Sequence, residues 1–435
     1  MVSSVPFVAF ISVVTLLLLF TVVHALDNGL ALRPPMGYNP WNQFGCHINE
    51  TIVMKTADHM SKLGLVQLGY NYLVIDDCWQ AKERDPKTNR LVPDKQRFPK
   101  GMLALSRYVQ QRGMKFGIYS DAGTMTCARY PGSKAHFELD AQTFAEWEVD
   151  FLKFDYCYTT DYEEMNPWIV YGEMSRCLNE TGRPILFSLC NWGHQYPWKW
   201  GRQFGNMWRT TSDIEGSYTR VMENLDRNKI LARYSGPDNW NDPDILTVGA
   251  TRKGELTREE SRSHFSLWAI MAAPLFLSND LTSKPEQWIL DIVTNREVIE
   301  IDQDALGIQG VMVEDNVINV NVTSSECYIE SVPKSCTRTE IYVKPLVDGG
   351  FGVVLFNRGG VHQDDVHFKE ERMTIDWEVH LKVDRTRQFR VRDVWEKRDV
   401  ASNVQQRFTS PQPITPHNCA MYRLYPITKI VNQQS

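Results

Sequence analysis

Phe151-Leu152-Lys153-Phe154-Asp155-Tyr156-Cys157 reads as a short buried strand of apolar and aromatic residues that ends in a carboxylate. Strand side chains alternate between faces, so Lys153 and Asp155, two apart, carry a cation and an acid into the same space. A single segment of this kind is explained by a buried ion pair. Here the ending recurs. Tyr72-Leu73-Val74-Ile75 runs into Asp76-Asp77, Phe116-Gly117-Ile118-Tyr119 into Ser120-Asp121, Pro184 to Leu189 into Cys190-Asn191-Trp192, and Met207-Trp208-Arg209 into Thr210-Thr211-Ser212-Asp213.

Helical patterns lie between the earlier strands. Thr51 can cap a helix with Val53, Ala57 and Met60 on one face and a stop at Gly64; a second runs through Leu105 and Val109 to Gly113; a third carries Phe137, Ala141, Phe144 and Ala145. Strand alternating with helix predicts a parallel sheet, in which the C-terminal strand ends gather on one face and bring their acids together. On spacing alone Trp240-Asn241-Asp242-Pro243-Asp244 reads as a solvated turn, because Asn, Asp and Pro are turn formers. Phe265 to Ala273 reads as a buried helix and Pro274 to Ser278 as a last inner strand. The expected architecture is α/β: a (β/α)8 TIM barrel over residues 26–308. From Gln309 the period falls to about two, with strand-like runs at Val317–Val322, Glu340–Val343, Phe351–Phe356, Phe389–Trp395 and Met421–Tyr425. An antiparallel β-sandwich is therefore expected over residues 309–435.

The hydrophobic share of 43% and charged share of 23% in 435 residues allow a large core and argue against disorder. A net charge of −6 offers no basic surface of the kind nucleic acid requires. Residues 1–25 hold an uncharged apolar run closing on Val23-His24-Ala25, the pattern of a signal peptide cleaved after Ala25, which leaves no membrane anchor. Entry into the secretory pathway, for secretion or delivery to a lysosome or vacuole, agrees with sequons at Asn49, Asn179 and Asn321. There the nine cysteines can oxidise. Cys46 with Cys78, Cys127 with Cys157, and Cys327 with Cys336 are candidate pairs, and sequence alone fixes none of them. The oligomeric state is not fixed either, and a homodimer is compatible with the sequence.

Acids at several strand ends suit acetal cleavage, which needs one carboxyl group to protonate the leaving oxygen and another to attack or to activate water. Asp155 and Asp213 lie on different strands and can flank one bond; Lys153 is expected to keep Asp155 ionised as a nucleophile. The competing reading is a magnesium or calcium site of Asp76, Asp77, Asp121, Asp155 and Asp244. Lys153 and Arg209 among those acids speak against it, and the chain has no phosphate loop, HExxH or GxSxG motif.

Pro34-Pro35-Met36-Gly37, Ile75-Asp76-Asp77-Cys78-Trp79, Tyr119-Ser120-Asp121-Ala122-Gly123, Leu152-Lys153-Phe154-Asp155-Tyr156-Cys157, Trp208-Arg209-Thr210-Thr211-Ser212-Asp213 and Trp240-Asn241-Asp242-Pro243-Asp244 together resemble glycoside hydrolase family 27, the α-galactosidases and α-N-acetylgalactosaminidases. The resemblance covers nearly the whole mature chain. It implies a retaining α-glycosidase with Asp155 as nucleophile and Asp213 as acid/base. By the same matching, Asp76 and Asp77 would bind the 4- and 6-hydroxyls, Lys153 would hold a hydroxyl and the nucleophile, Trp41, Tyr119 and Cys127 would wall the pocket, Arg209 would reach the 2-position, and Asp244 would complete the polar ring. The Cys46–Cys78 and Cys127–Cys157 pairs follow the family pattern, and no metal or organic cofactor is implied. At Asn191-Trp192-Gly193-His194 the chain departs from members that carry Glu, or a small pair that admits an acetamido group; Asn191 can bind a 2-hydroxyl and His194 is bulky, which favours galactose. The alternatives are an α-N-acetylgalactosaminidase, a β-L-arabinopyranosidase, or an inactive sugar-binding homologue.

Overall fold

The computed structural model describes residues 28–159, 166–317, 328–329, 332–333, 337–359 and 370–427. The expected signal peptide, the Asn321 sequon and the Cys327–Cys336 pair lie outside them. Strands β1 (Met36–Tyr38), β2 (Tyr72–Val74), β3 (Lys115–Asp121), β4 (Phe151–Asp155), β5 (Leu186–Cys190), β6 (Met207–Arg209), β7 (Trp240–Asp242) and β8 (Leu275–Leu277) form one eight-stranded sheet in the order β7-β6-β5-β4-β3-β2-β1-β8. Every pairing is parallel. Leu246 N–H donates to Phe276 C=O at 2.8 Å, joining the chain beyond β7 to β8 and closing the circuit.

Helices α1 (Trp41–Phe44), α2 (Glu50–Lys62), α3 (Gly101–Gln110), α4 (Phe137–Glu146), α5 (Pro167–Glu180), α6 (Tyr218–Lys229), α7 (Arg258–Ile270), α8 (Gln287–Val293) and α9 (Arg296–Asp302) pack outside. The cap of α2 is Asn49, whose Oδ1 accepts from Ile52 N–H at 2.9 Å, and Thr51 lies inside the helix. A capping box of Thr257 and Glu260 starts α7. That helix is buried along nearly its whole length, since the barrel lies on one side and the second domain on the other.

Tyr72, Val74, Phe151, Leu186, Met207, Trp240, Ala272 and Phe276 fill the barrel interior, with the Phe151 ring 5.5 Å from Tyr72 and 5.6 Å from Phe276. This plug is the floor on which the polar strand ends stand. Trp240–Asp242, expected as a solvated turn, is instead a buried strand: pairing with β6 and burial of the Trp240 indole outweigh local turn preference, and the break comes at Pro243.

The second domain is antiparallel. Its six-stranded sheet runs Arg398–Val404, Phe389–Asp393, Asn418–Pro426, Phe351–Asn357, Thr337–Pro345, Val311–Val317. The pair Thr374–Asp376 and Arg407–Thr409 covers it, burying Ile375 and Phe408 against Val353, Leu355, Phe389, Val391 and Tyr422. Fully buried Glu340 joins the domains: it accepts from Lys229 of α6 at 3.0 Å and from Arg358 at 2.9 Å, while Arg358 reaches back to Asp226 at 2.6 Å. Among the described residues no helix is long and apolar enough to cross a membrane.

Candidate active site

The predicted acids meet at the C-terminal ends of the strands. Asp76, beyond β2, is 3% exposed, and its Oδ2 takes the Lys153 ammonium at 2.6 Å and the Asn39 amide at 2.7 Å. Asp77 accepts from Cys78 N–H at 2.6 Å and Ala128 N–H at 2.8 Å. Burial raises its pKa, with those backbone donors pulling the other way.

Asp155 ends β4 in register with Asp121 of β3 and Cys190 of β5. Its carboxyl accepts from the Tyr119 hydroxyl at 2.9 Å and from Tyr156 N–H at 3.1 Å. The disulfide Cys127–Cys157, with Cα atoms 5.2 Å apart, binds the loops after β3 and β4 and brings Cys127 Sγ within 3.4 Å of Asp155. Cys46–Cys78, also 5.2 Å between Cα atoms, ties the Trp41 loop to the loop after β2. Both pairings match the expectation. The Lys153 ammonium makes its ion pair with Asp76, and its charge also draws Asp155 down. Burial outweighs the pull of Lys153 on Asp155, the charge of Asp213 adds to it, and the Asp155 carboxyl is pushed up to about 7.

Arg209 ends β6 and is 3% exposed. One nitrogen, Nη2, serves three acceptors: Asp244 at 2.8 Å, Asp213 at 3.1 Å and the Thr211 carbonyl at 3.1 Å. Asp213 is 54% exposed in side-chain area and stands at the open mouth. Crowding by protein raises its pKa, but the charges of Arg209 and Lys153 and the Arg209 hydrogen bond prevail, so the net shift is downward and the free carboxyl is ionised. Asp244, at φ 88°, accepts from Ile214 N–H and Ile245 N–H at 2.8 Å each, which supports a backbone that is otherwise strained.

Asn191 is fully buried; its amide donates to the His194 carbonyl, and its Oδ1 has no partner among the described residues. The His194 side chain is exposed, edge-on to Trp192 with centroids 6.2 Å apart. Trp41 is half-buried at the rim. Sequence reasoning passed over Asn39, Asp242, Cys190 and Arg252. Asn39 could have been found by its place at the end of β1, and Asp242 by its place at the end of β7 once that strand was recognised. Burial pushes Asp242 up to about 6. Cys190 is a buried free thiol.

Beneath the acids a cavity of about 30 Å³ is lined by Asn39, Lys153, Cys190, Arg209, Asp242 and Asp244, room for water and not for a sugar. As a metal site the cluster fits poorly: the donor atoms of Asp121, Cys127, Asp155 and Cys157 lie within 4.8 Å of one another, but the sulfurs are joined in a disulfide and are not thiolates. Asp121 is also committed to Gly123 N–H at 2.7 Å and Cys157 N–H at 3.0 Å.

A parallel barrel that gathers carboxylates at its strand ends, beside an appended antiparallel domain, suits the two-carboxyl chemistry of a glycoside hydrolase. Residues 33–304 match the family described as alpha galactosidase A, and residues 337–424 match the alpha galactosidase C-terminal beta sandwich domain. The chain belongs to this family, glycoside hydrolase family 27. It is similar to alpha-galactosidase 2 of Arabidopsis thaliana, 39% identical over 425 residues that make up 97% of each chain. The solved structure of alpha-galactosidase I from Mortierella vinacea superposes with a TM-score of 0.80 at 30% identity, over 92% of this chain and 98% of that one. A β-L-arabinopyranosidase from Geobacillus stearothermophilus shares the fold, with a TM-score of 0.76 at 21% identity over 94% of this chain and 99% of that one.

Proposed function

We propose that the protein is a retaining exo-α-galactosidase that removes terminal α-D-galactosyl residues from oligosaccharides or glycoconjugates by double displacement. The observation that carries this is the placing of Asp155 at the end of β4 and of Asp213, held by Arg209, just beyond the end of β6, in a chain matched along both domains to α-galactosidases. Asp155 attacks the anomeric carbon while Asp213 protonates the leaving oxygen; Asp213 then takes a proton from water, which displaces the sugar from Asp155. Asp76, Asp77 and Lys153 bind hydroxyls, and the unpartnered Asn191 Oδ1 accepts from a 2-hydroxyl.

Burial pushes the Asp155 carboxyl up to about 7, and the Arg209 guanidinium draws Asp213 below its ordinary value, so the two acids titrate as a pair. A bound glycoside excludes water from Asp213 and raises its pKa. As Asp213 takes the proton its repulsion of Asp155 disappears, and Asp155 ionises beside Tyr119.

Turnover of an aryl α-galactoside should exceed that of its α-N-acetylgalactosaminide and of an aryl β-L-arabinopyranoside; preference for either rival overturns the assignment. We also assign residues 26–308 to the catalytic barrel and 309–435 to the sandwich domain, and propose cleavage after Ala25 with glycans on Asn49, Asn179 and Asn321. Amino-terminal sequencing of the mature protein should begin at Leu26, and glycosidase treatment should lower its mass.

A further inference from the structure

Trp41 opens α1, and residues far along the chain hold it there. Arg252, in the loop between β7 and α7, donates from Nη2 to the Trp41 carbonyl at 2.6 Å, and its guanidinium carbon lies 5.5 Å from the centre of the Trp41 ring. The same group fills the space over Gly45, where an added Cβ would meet Arg252 Cζ at 3.0 Å. Beside it Thr251 N–H donates to Gln43 Oε1 at 3.1 Å, and Gln43 Nε2 donates to Thr251 Oγ1 at 3.2 Å.

The other end of this loop grips the segment that follows Asp213. Gly216 N–H donates to the Lys253 carbonyl at 3.2 Å, and Lys253 Nζ lies 3.5 Å from Glu215. The backbones pass so closely that a Cβ on Gly216 would stand 2.1 Å from the Gly254 oxygen. Residues 251–254 therefore bridge the mouth from the Trp41 side to the Asp213 side. Their charges reach into the site: Asp76 stabilises the Arg252 cation against partial burial, and Lys253 helps draw Asp213 down.

We propose that Arg252 is a positioning residue that fixes the Trp41 indole at the rim of the sugar site and thereby sets substrate affinity, without taking part in bond cleavage. The proposal rests on the α-galactosidase reading above. An indole already held in place needs no ordering when substrate arrives, so the contact favours binding. A planar guanidinium can lie against a ring while bonding a carbonyl, which a lysine does less well.

The test is a double-mutant cycle on Arg252→Ala, Arg252→Lys, Trp41→Ala and the Arg252→Ala/Trp41→Ala pair, measuring kcat and KM on an aryl α-galactoside and galactose binding by calorimetry. Loss of one hydrogen bond and one cation–π contact predicts a KM about tenfold higher for Arg252→Ala, with kcat nearly unchanged. Arg252→Lys should fall between it and the wild type. In the Trp41→Ala background the same substitution should change KM and galactose affinity by less than about twofold. Equal losses in both backgrounds, or a loss confined to kcat, overturn the proposal alone. A wild-type protein that neither cleaves α-galactosides nor binds galactose overturns the functional reading and the proposal with it.

Discussion

Raising the pH should switch the enzyme off early and steeply. The free enzyme reacts with one proton on the Asp155/Asp213 pair, and burial pushes the Asp155 carboxyl of that pair up to about 7. Above that value the pair loses its last proton and with it the acid that the leaving group needs. Two pH units beyond, at pH 9, about one molecule in 100 keeps the proton, so kcat/KM should lie about 100-fold below its plateau. On the acid side a second proton must go to Asp213, which the charges of Arg209 and Lys153 hold below its ordinary value against the crowding of surrounding protein, so the plateau should not break above the ordinary carboxylate range. The assay is kcat/KM from pH 3 to 10 at fixed ionic strength with an α-galactosyl saccharide, whose leaving group requires protonation. In Asp213→Asn, tested on an activated aryl galactoside, the alkaline limb should vanish. An alkaline limb at pH 9 or higher in the wild type, or one that survives in Asp213→Asn, refutes the shared-proton account.

Two further predictions concern what holds the site. Asp140 of α4 is fully buried and binds Arg84 through hydrogen bonds of 2.6 and 2.8 Å, so Asp140→Ala leaves a largely buried cation unpaired and should cost about 3–5 kcal/mol in urea unfolding; a loss below about 1 kcal/mol contradicts this. Cys127–Cys157 closes a sequence separation of 30, and replacing both cysteines by serine should destabilise the fold by about 3.5 kcal/mol on chain-entropy grounds, whereas an unchanged unfolding midpoint would show that the bridge leaves stability untouched.

The barrel was legible because inner strands such as Lys115–Asp121 and Phe151–Asp155 are dense in apolar and aromatic residues and stop at acids, a pattern that local sequence displays without tertiary help. β7 was not: Trp240-Asn241-Asp242 lacks that density, and what makes it a strand is its pairing with β6. The positions of Asp155 and Asp213 could be read from strand ends, but their ionisation could not. Spacing places Lys153 near Asp155 without revealing that its ammonium pairs with Asp76, or that burial outweighs its charge. The Arg252–Trp41 contact joins residues 211 apart in a loop with no periodicity, so only the fold brings it to view.

The central claim is that Asp155 forms the covalent bond to the sugar. A fluorinated α-galactosyl donor that slows breakdown of the glycosyl-enzyme, followed by peptide mass spectrometry, tests it directly. The account predicts one galactosyl adduct, on Asp155; an adduct on Asp213, or full turnover by Asp155→Ala, contradicts it.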